Sequence, residues 1–171
     1  MIKKLRVVLF IFLLVSVSPQ VYAWQGKVVR ISSGDTLIVR HDGGNERISL
    51  YGILTPVKAQ AFGEKAKKFT SDLVVGKVVR VEYAGAITYE KPVALIYINT
   101  TCLNQELVRS GLAWVSPKYC KRKTCEKWRT LERLARKKRI GLWSQPNPVA
   151  PWEFRQPGQK TAPGKSTALQ P

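Results

Sequence analysis

Apolar and polar positions alternate with period two from Lys27 onward. Lys27-Val28-Val29-Arg30-Ile31 and Thr36-Leu37-Ile38-Val39-Arg40 are short β-rich runs, parted by the turn-forming Ser32-Ser33-Gly34-Asp35. A third run, Glu46 to Tyr51, follows Asp42-Gly43-Gly44-Asn45, a strong hairpin signal. From Phe62 to Val75 the period changes. Ala66, Phe69 and Leu73 fall at helical spacing, and Gly76 sits where a glycine ends a helix. Two further strands read from Lys77 to Tyr83 and from Val93 to Ile98. A short helix follows from Asn104, placed as its N-cap, to Gly111. The last helix carries Trp128, Leu131, Leu134 and Ala135 on one face and stops at Gly141. Three strands, a helix, two strands and a helix is the order of the OB-fold. The expected fold is therefore α+β in a single domain: a five-stranded Greek-key barrel with three helices, the last packed outside. Another small barrel topology is the alternative.

The pattern stops at both ends of the chain. Lys3, Lys4 and Arg6 precede an apolar run from Val7 to Val17, and Val21-Tyr22-Ala23 offers small residues at the −3 and −1 positions of a cleavage site. These are the three parts of a secretory signal peptide. The alternative is a membrane anchor, but the run is about half of the ~20 residues a bilayer needs. Residues 1–23 are expected to be removed and the protein exported, to the periplasm or outside the cell, with no stable membrane insertion afterwards. Past Arg155 the composition turns to Gln, Pro, Gly, Lys and Thr without apolar period. The expected domain is 24–155, followed by a disordered tail over 156–171.

Charge changes the picture more than composition does. The 171 residues include 29 basic and 11 acidic ones, a formal net charge of +18, which calls for a polyanionic partner. Eleven of the basic residues lie between Lys118 and Arg139, against only Glu126 and Glu132. Arg136 to Arg139 suit the C-terminal dipole of a helix. That does not account for Lys121-Arg122-Lys123 at the other end, which reads better as part of a phosphate-binding face. In an exported chain, neighbouring cysteines are a disulfide rather than a metal site or redox switch. Cys120 and Cys125 are expected to pair, leaving Cys102. A zinc site would need a fourth ligand, and the single histidine, His41, has no ligand spacing to the cysteines.

Six motifs in order make the chain resemble the staphylococcal-nuclease-like (thermonuclease) family. They are Gly34-Asp35-Thr36, Leu50-Tyr51-Gly52-Ile53-Leu54-Thr55-Pro56, Gln60-Ala61-Phe62-Gly63-Glu64-Lys65-Ala66, Leu107-Val108-Arg109-Ser110-Gly111-Leu112-Ala113, Gly141-Leu142-Trp143 and Pro146-Asn147-Pro148-Val149-Ala150-Pro151-Trp152. The last is similar to the tail of the exported bacterial members. The resemblance spans Lys27 to about Arg155 and implies the same OB-fold.

The family's activity, calcium-dependent hydrolysis of DNA and RNA phosphodiesters, implies two aspartate ligands, a glutamate that positions water, and two arginines that stabilise charge on the phosphate. Only the first aspartate is matched, by Asp35. Ser49 stands at the first arginine, Leu54 at the second aspartate and Val57 at the glutamate, while Lys91 in Tyr89-Glu90-Lys91-Pro92 stands at the second arginine. Leucine cannot ligate calcium, valine cannot hold a water, and lysine lacks the bidentate fork. Arg47, two residues from Ser49, shares its strand face and could partly stand in for the arginine. Glu46, Glu64 and Glu90 are the acids nearest in sequence, none at a family position.

The leading expectation is thus an exported binder of nucleic acid or another polyanion, monomeric, with no catalytic residues, metal or cofactor. Tyr89, Lys91, Tyr119, Lys121, Arg122 and Lys123 are the expected contacts, the two tyrosines stacking on bases. An active nuclease using Asp35, Arg47, Lys91 and Ca2+ is the second reading, and a protein-interaction module the third.

Overall fold

The computed structural model describes residues 23–84 and 92–154. Strands β1 (Ala23–Ser33), β2 (Thr36–His41) and β3 (Gly44–Leu50) form an antiparallel meander, with Val28 opposite Val39 and Leu37 opposite Ile48. All four of these side chains are fully buried, so the period-two apolar positions do face one interior. Between β2 and β3, Asp42 and Gly43 both take positive φ, 45° and 78°, as a tight two-residue hairpin turn requires. The short β4 (Ile53–Leu54) comes next, then helix α1 (Gly63–Val74), and β5 (Val78–Tyr83) returns beside β1. Strand β6 (Val93–Ile98) pairs with β5 and then with β3 in parallel, closing a five-stranded mixed barrel. The expected OB-type α+β fold is the one observed.

Three short elements extend this frame. Strand β7 (Thr101–Cys102) folds back on β6, and β8 (Trp114–Val115) pairs with β4. Helix α2 (Leu103–Arg109) packs on β6 and on α3 (Thr124–Lys137), and α1 lies along β1. Gly34 permits the approach of α1. A Cβ there would lie 2.8 Å from Ala66 and 2.9 Å from Thr55, and the Thr70 hydroxyl donates to its carbonyl at 2.6 Å. A second, smaller core outside the barrel gathers Trp114, Ala135, Leu142, Trp143 and Ala150. The Trp114 and Trp143 rings meet edge-on with centroids 5.3 Å apart.

The boundaries differ from the pattern in instructive ways. Strand β1 begins at Ala23, and Trp24 stacks on His41 with ring centroids 3.7 Å apart, so the strand starts before its alternation becomes visible. Leu134 is 48% exposed and does not join the face of Trp128, Leu131 and Ala135. The position beside Ala135 on that face is Glu132, buried and held by Arg136 at 2.9 Å. Helix α3 ends at Lys137 rather than Gly141, and Gly141, at φ 60°, instead opens a 3-10 turn to Ser144. Helix α2 ends at Arg109, with Gly111 beyond it at φ 62°.

Asn104 is the largest correction. The helix is capped by Cys102, and Asn104 is inside it and wholly buried. Its carboxamide oxygen accepts the Ile96 N–H at 3.2 Å, while its nitrogen donates to the carbonyls of Tyr51 at 3.0 Å and Ala94 at 3.2 Å. The side chain therefore ties α2 to the place where β3 meets β6. The expected Cys120–Cys125 disulfide is present, Cα atoms 5.7 Å apart, and lies on Gly52, where a Cβ would be 2.6 Å from the Cys120 sulfur. Cys102 is free and half-buried, and burial pushes its thiol above the ordinary range, so it acts as a packing group rather than a nucleophile.

Replacing Asn104 by leucine should leave three buried backbone groups short of a partner and cost about 2–4 kcal/mol. Urea unfolding of the variant measures this, and a loss below about 0.5 kcal/mol would show that the carboxamide does not hold the seam.

Candidate functional site

The loop after β1 and the strand end before α1 bring together the positions that the resemblance marks. Asp35 sits in the turn between β1 and β2, half-buried, with both carboxylate oxygens engaged. Oδ1 accepts the Ser33 hydroxyl at 2.8 Å and the Thr36 hydroxyl at 3.3 Å, and Oδ2 accepts the Thr55 N–H at 2.8 Å. The Asp35 carbonyl also accepts the Leu50 N–H at 2.8 Å. Asp35 thus joins the first hairpin to the segment after β4, a longer reach than a turn residue that only shapes its own hairpin.

Around it the chemistry is aliphatic. Ile53 points into the core, so Leu54 is the outward residue of β4, half-buried. Val57 is 36% exposed. Ser49 is half-buried opposite Thr36, and Arg47 is exposed opposite Ile38, on the same alternation as expected. Glu46 belongs to another cluster, since its carboxylate accepts the Tyr83 hydroxyl at 2.7 Å and lies 3.2 Å from His41 Nε2. Glu64 is exposed in the first turn of α1. Tyr89, Glu90 and Lys91 lie outside the described residues. Among the described residues no three His, Cys, Asp or Glu side chains are grouped to hold a metal. Calcium takes six to eight oxygens, and one carboxylate between a leucine and a valine does not fit it.

The basic positions are better assembled. Tyr119, Lys121, Arg122 and Lys123 share the short loop closed by the Cys120–Cys125 disulfide. Lys121, Arg122 and Lys123 are exposed and Tyr119 half-buried. The loop is pinned from beneath by Tyr51, which no sequence pattern singles out: its hydroxyl accepts the N–H groups of Lys121 at 3.0 Å and Arg122 at 3.1 Å. The Arg122 guanidinium lies 5.3 Å from the Tyr51 ring centre and donates to the Tyr83 carbonyl at 3.3 Å. It therefore faces the end of β5, just before residues 85–91. Arg80 lies 4.2 Å from the Tyr97 ring centre on the adjoining sheet surface and pairs with Glu82. Gln60, equally unmarked by pattern, fastens the Val57 loop. Its oxygen accepts the Val57 N–H at 2.9 Å and its nitrogen donates to the Val149 carbonyl at 3.0 Å. The signal for Gln60 was its place in a motif, but nothing in the sequence says which segments it spans.

A closed five-stranded barrel with a loop-borne aspartate beside the β4 end, and a basic loop across from it, defines a nuclease-type OB domain. Residues 47–145 match the family described as staphylococcal nuclease homologue. An uncharacterized endonuclease of Haemophilus influenzae is 37% identical over 131 residues, 76% of this chain and 72% of its own. Protein ParB of Escherichia coli is 34% identical over 161 residues, 89% of this chain and 90% of its own. A micrococcal nuclease of Shigella flexneri is 32% identical over 155 residues, covering 85% and 88% respectively. The chain belongs to the staphylococcal nuclease homologue family.

The bonds around Asp35 make a direct forecast. Asp35→Ala should destabilise the fold by about 1–3 kcal/mol even in EDTA, because the buried Thr55 N–H loses its acceptor. Asp35→Asn, which keeps one carbonyl oxygen, should lose less. Urea midpoints of the three proteins check the order, and a loss that appears only when calcium is present would contradict it.

Proposed function

We propose that this is an exported nuclease-homologue domain that no longer hydrolyses phosphodiesters with calcium and instead holds nucleic acid or another polyanion on its basic surface. The observation that carries the reading is the pair Leu54 and Val57 beside Asp35, where the family's chemistry needs a metal ligand and a water-positioning carboxylate. Removing a single transition-state donor typically costs ~100-fold or more, so removing several that act together leaves negligible rate. Nothing in the same substitutions weakens attraction for phosphate. The disulfide loop still presents Lys121, Arg122 and Lys123, and α3 carries further exposed lysines and arginines. Such surfaces bind by counterion release, without reading sequence. Tyr119, in the same loop, is the stacking candidate among the described residues. Export rests on the amino-terminal pattern and is compatible with the disulfide. A net charge of +18 works against self-association, which supports a monomer.

One labelled single-stranded oligonucleotide tests both halves. With calcium present it should remain intact on a denaturing gel while its anisotropy rises with added protein, and the affinity should fall steeply as salt increases. The converse variant, Ser49→Arg, Leu54→Asp, Val57→Glu and Lys91→Arg together, should gain calcium-dependent cleavage, whereas each single change should do little. Calcium-dependent cleavage by the wild type, abolished by Asp35→Ala, would refute the loss of catalysis. Absence of binding at low salt would refute the polyanion half.

A further inference from the structure

The residues that displaced the catalytic carboxylates are aliphatic, and they adjoin a groove. Leu54 pairs with Trp114 across β4 and β8. Val57 is tied through Gln60 to Val149. Trp114 and Val149 both line a groove of about 640 Å3 between α3 and the segment 146–153, together with Pro117, Arg129, Arg136 and Trp152. Val57, Val149 and Trp152 are 36%, 47% and 49% exposed, so large apolar side chains stand in water along adjoining segments. The other wall is cationic. Arg129, Arg133 and Arg136 line an adjoining hollow on α3, at helical spacing that puts them on one side. Arg129 gives one N–H to the Cys120 carbonyl and Arg133 one to the Thr130 hydroxyl, which leaves each guanidinium with free donors. Glu132 is already neutralised by Arg136, and the Glu153 carboxylate accepts the Trp152 N–H.

We propose that this surface docks an acidic, apolar peptide segment of a partner protein. Charge decides among occupants. The chain's own residues 155–171 carry Arg155, Lys160 and Lys165 and no acid, so they share the sign of the arginine wall. A second copy at +18 is repelled likewise. A single strand of nucleic acid would use the arginines and tryptophans but has nothing to set against Leu54, Val57 and Val149. A peptide that interleaves carboxylates with aliphatic or aromatic side chains uses both walls.

Selection from displayed random peptides of about twelve residues, reaching ~40 Å when extended, tests this on the whole mature protein in about 0.15 M salt. Peptides combining Asp or Glu with apolar residues should be enriched. The strongest, once synthesised, should lose at least about tenfold in affinity to the double variant Val149→Asp, Trp152→Ala. Arg133→Glu, a change at an exposed helical position, should weaken it by about fivefold or more and serves as the second variant if the first fails to fold. The triple variant Lys121→Ala, Arg122→Ala, Lys123→Ala should leave it within about twofold, because that loop is not part of the groove. No enrichment over the double variant, enrichment of peptides lacking either acid or apolar residues, or loss confined to the triple variant would overturn the proposal. Full displacement of the peptide by single-stranded oligo-dT would give the groove to nucleic acid and also overturn it.

Discussion

The barrel closes over two residue pairs only, Ser49 with Val93 and Leu50 with Ala94, and a buried carboxamide from α2 completes the seam. A parallel contact this short leaves backbone groups that must find other partners in a place water does not reach. Asn104 supplies them, taking one N–H and giving two of its own. Segments downstream of the seam inherit their positions from it. Tyr51, whose carbonyl Asn104 holds, turns its hydroxyl up to the amides of Lys121 and Arg122. Gly52 lies under the disulfide, and β4 then carries Leu54 to Trp114 and Thr55 to Asp35. The basic loop and the former metal wall are thus both hung from one closure point.

That dependence explains how a nuclease scaffold can keep its shape while its catalytic positions change. The replaced positions, Ser49, Leu54 and Val57, are half-buried or exposed and hold no side-chain bond that closes the barrel. Asp35 differs. Its carboxylate satisfies a buried amide twenty residues away, so removing it costs stability whether or not a metal binds. A carboxylate retained alone, when its former partners are leucine and valine, is accounted for by that second duty. In the same way Gly34 and Gly52 are fixed by what would strike a Cβ there, and neither serves chemistry.

Much of this was legible in the sequence because it is periodic or local. The alternation through Val28, Leu37, Val39 and Ile48 faces one core, and the Asp42-Gly43 turn has the backbone its residues favour. The cysteines five apart are bonded. The family positions around Leu54 could be read because motifs carry register. The features that stayed hidden depend on partners distant in sequence. Asn104 lies after a strand and near the start of a helix, the ordinary setting of an N-cap, and nothing local says that its side chain turns inward to Tyr51 and Ala94. Leu134 sits at a helical spacing from Leu131, but the inward position there belongs to Glu132, paired with Arg136. Gln60 joins residues that are 89 apart, Gln60 itself and Val149, and no period reports such a bridge.

The central claim is that the fold is kept while the metal site is gone, and calcium binding tests it more directly than turnover does. A ligand at 100 times its dissociation constant stabilises the folded state by about 2.7 kcal/mol, so an occupied site reveals itself as a raised melting temperature. Thermal unfolding of the mature protein should be the same in EDTA and in calcium at about 10 mM, apart from what an equal ionic strength of sodium chloride produces. A calcium-specific rise of several degrees that disappears in Asp35→Ala would contradict the account.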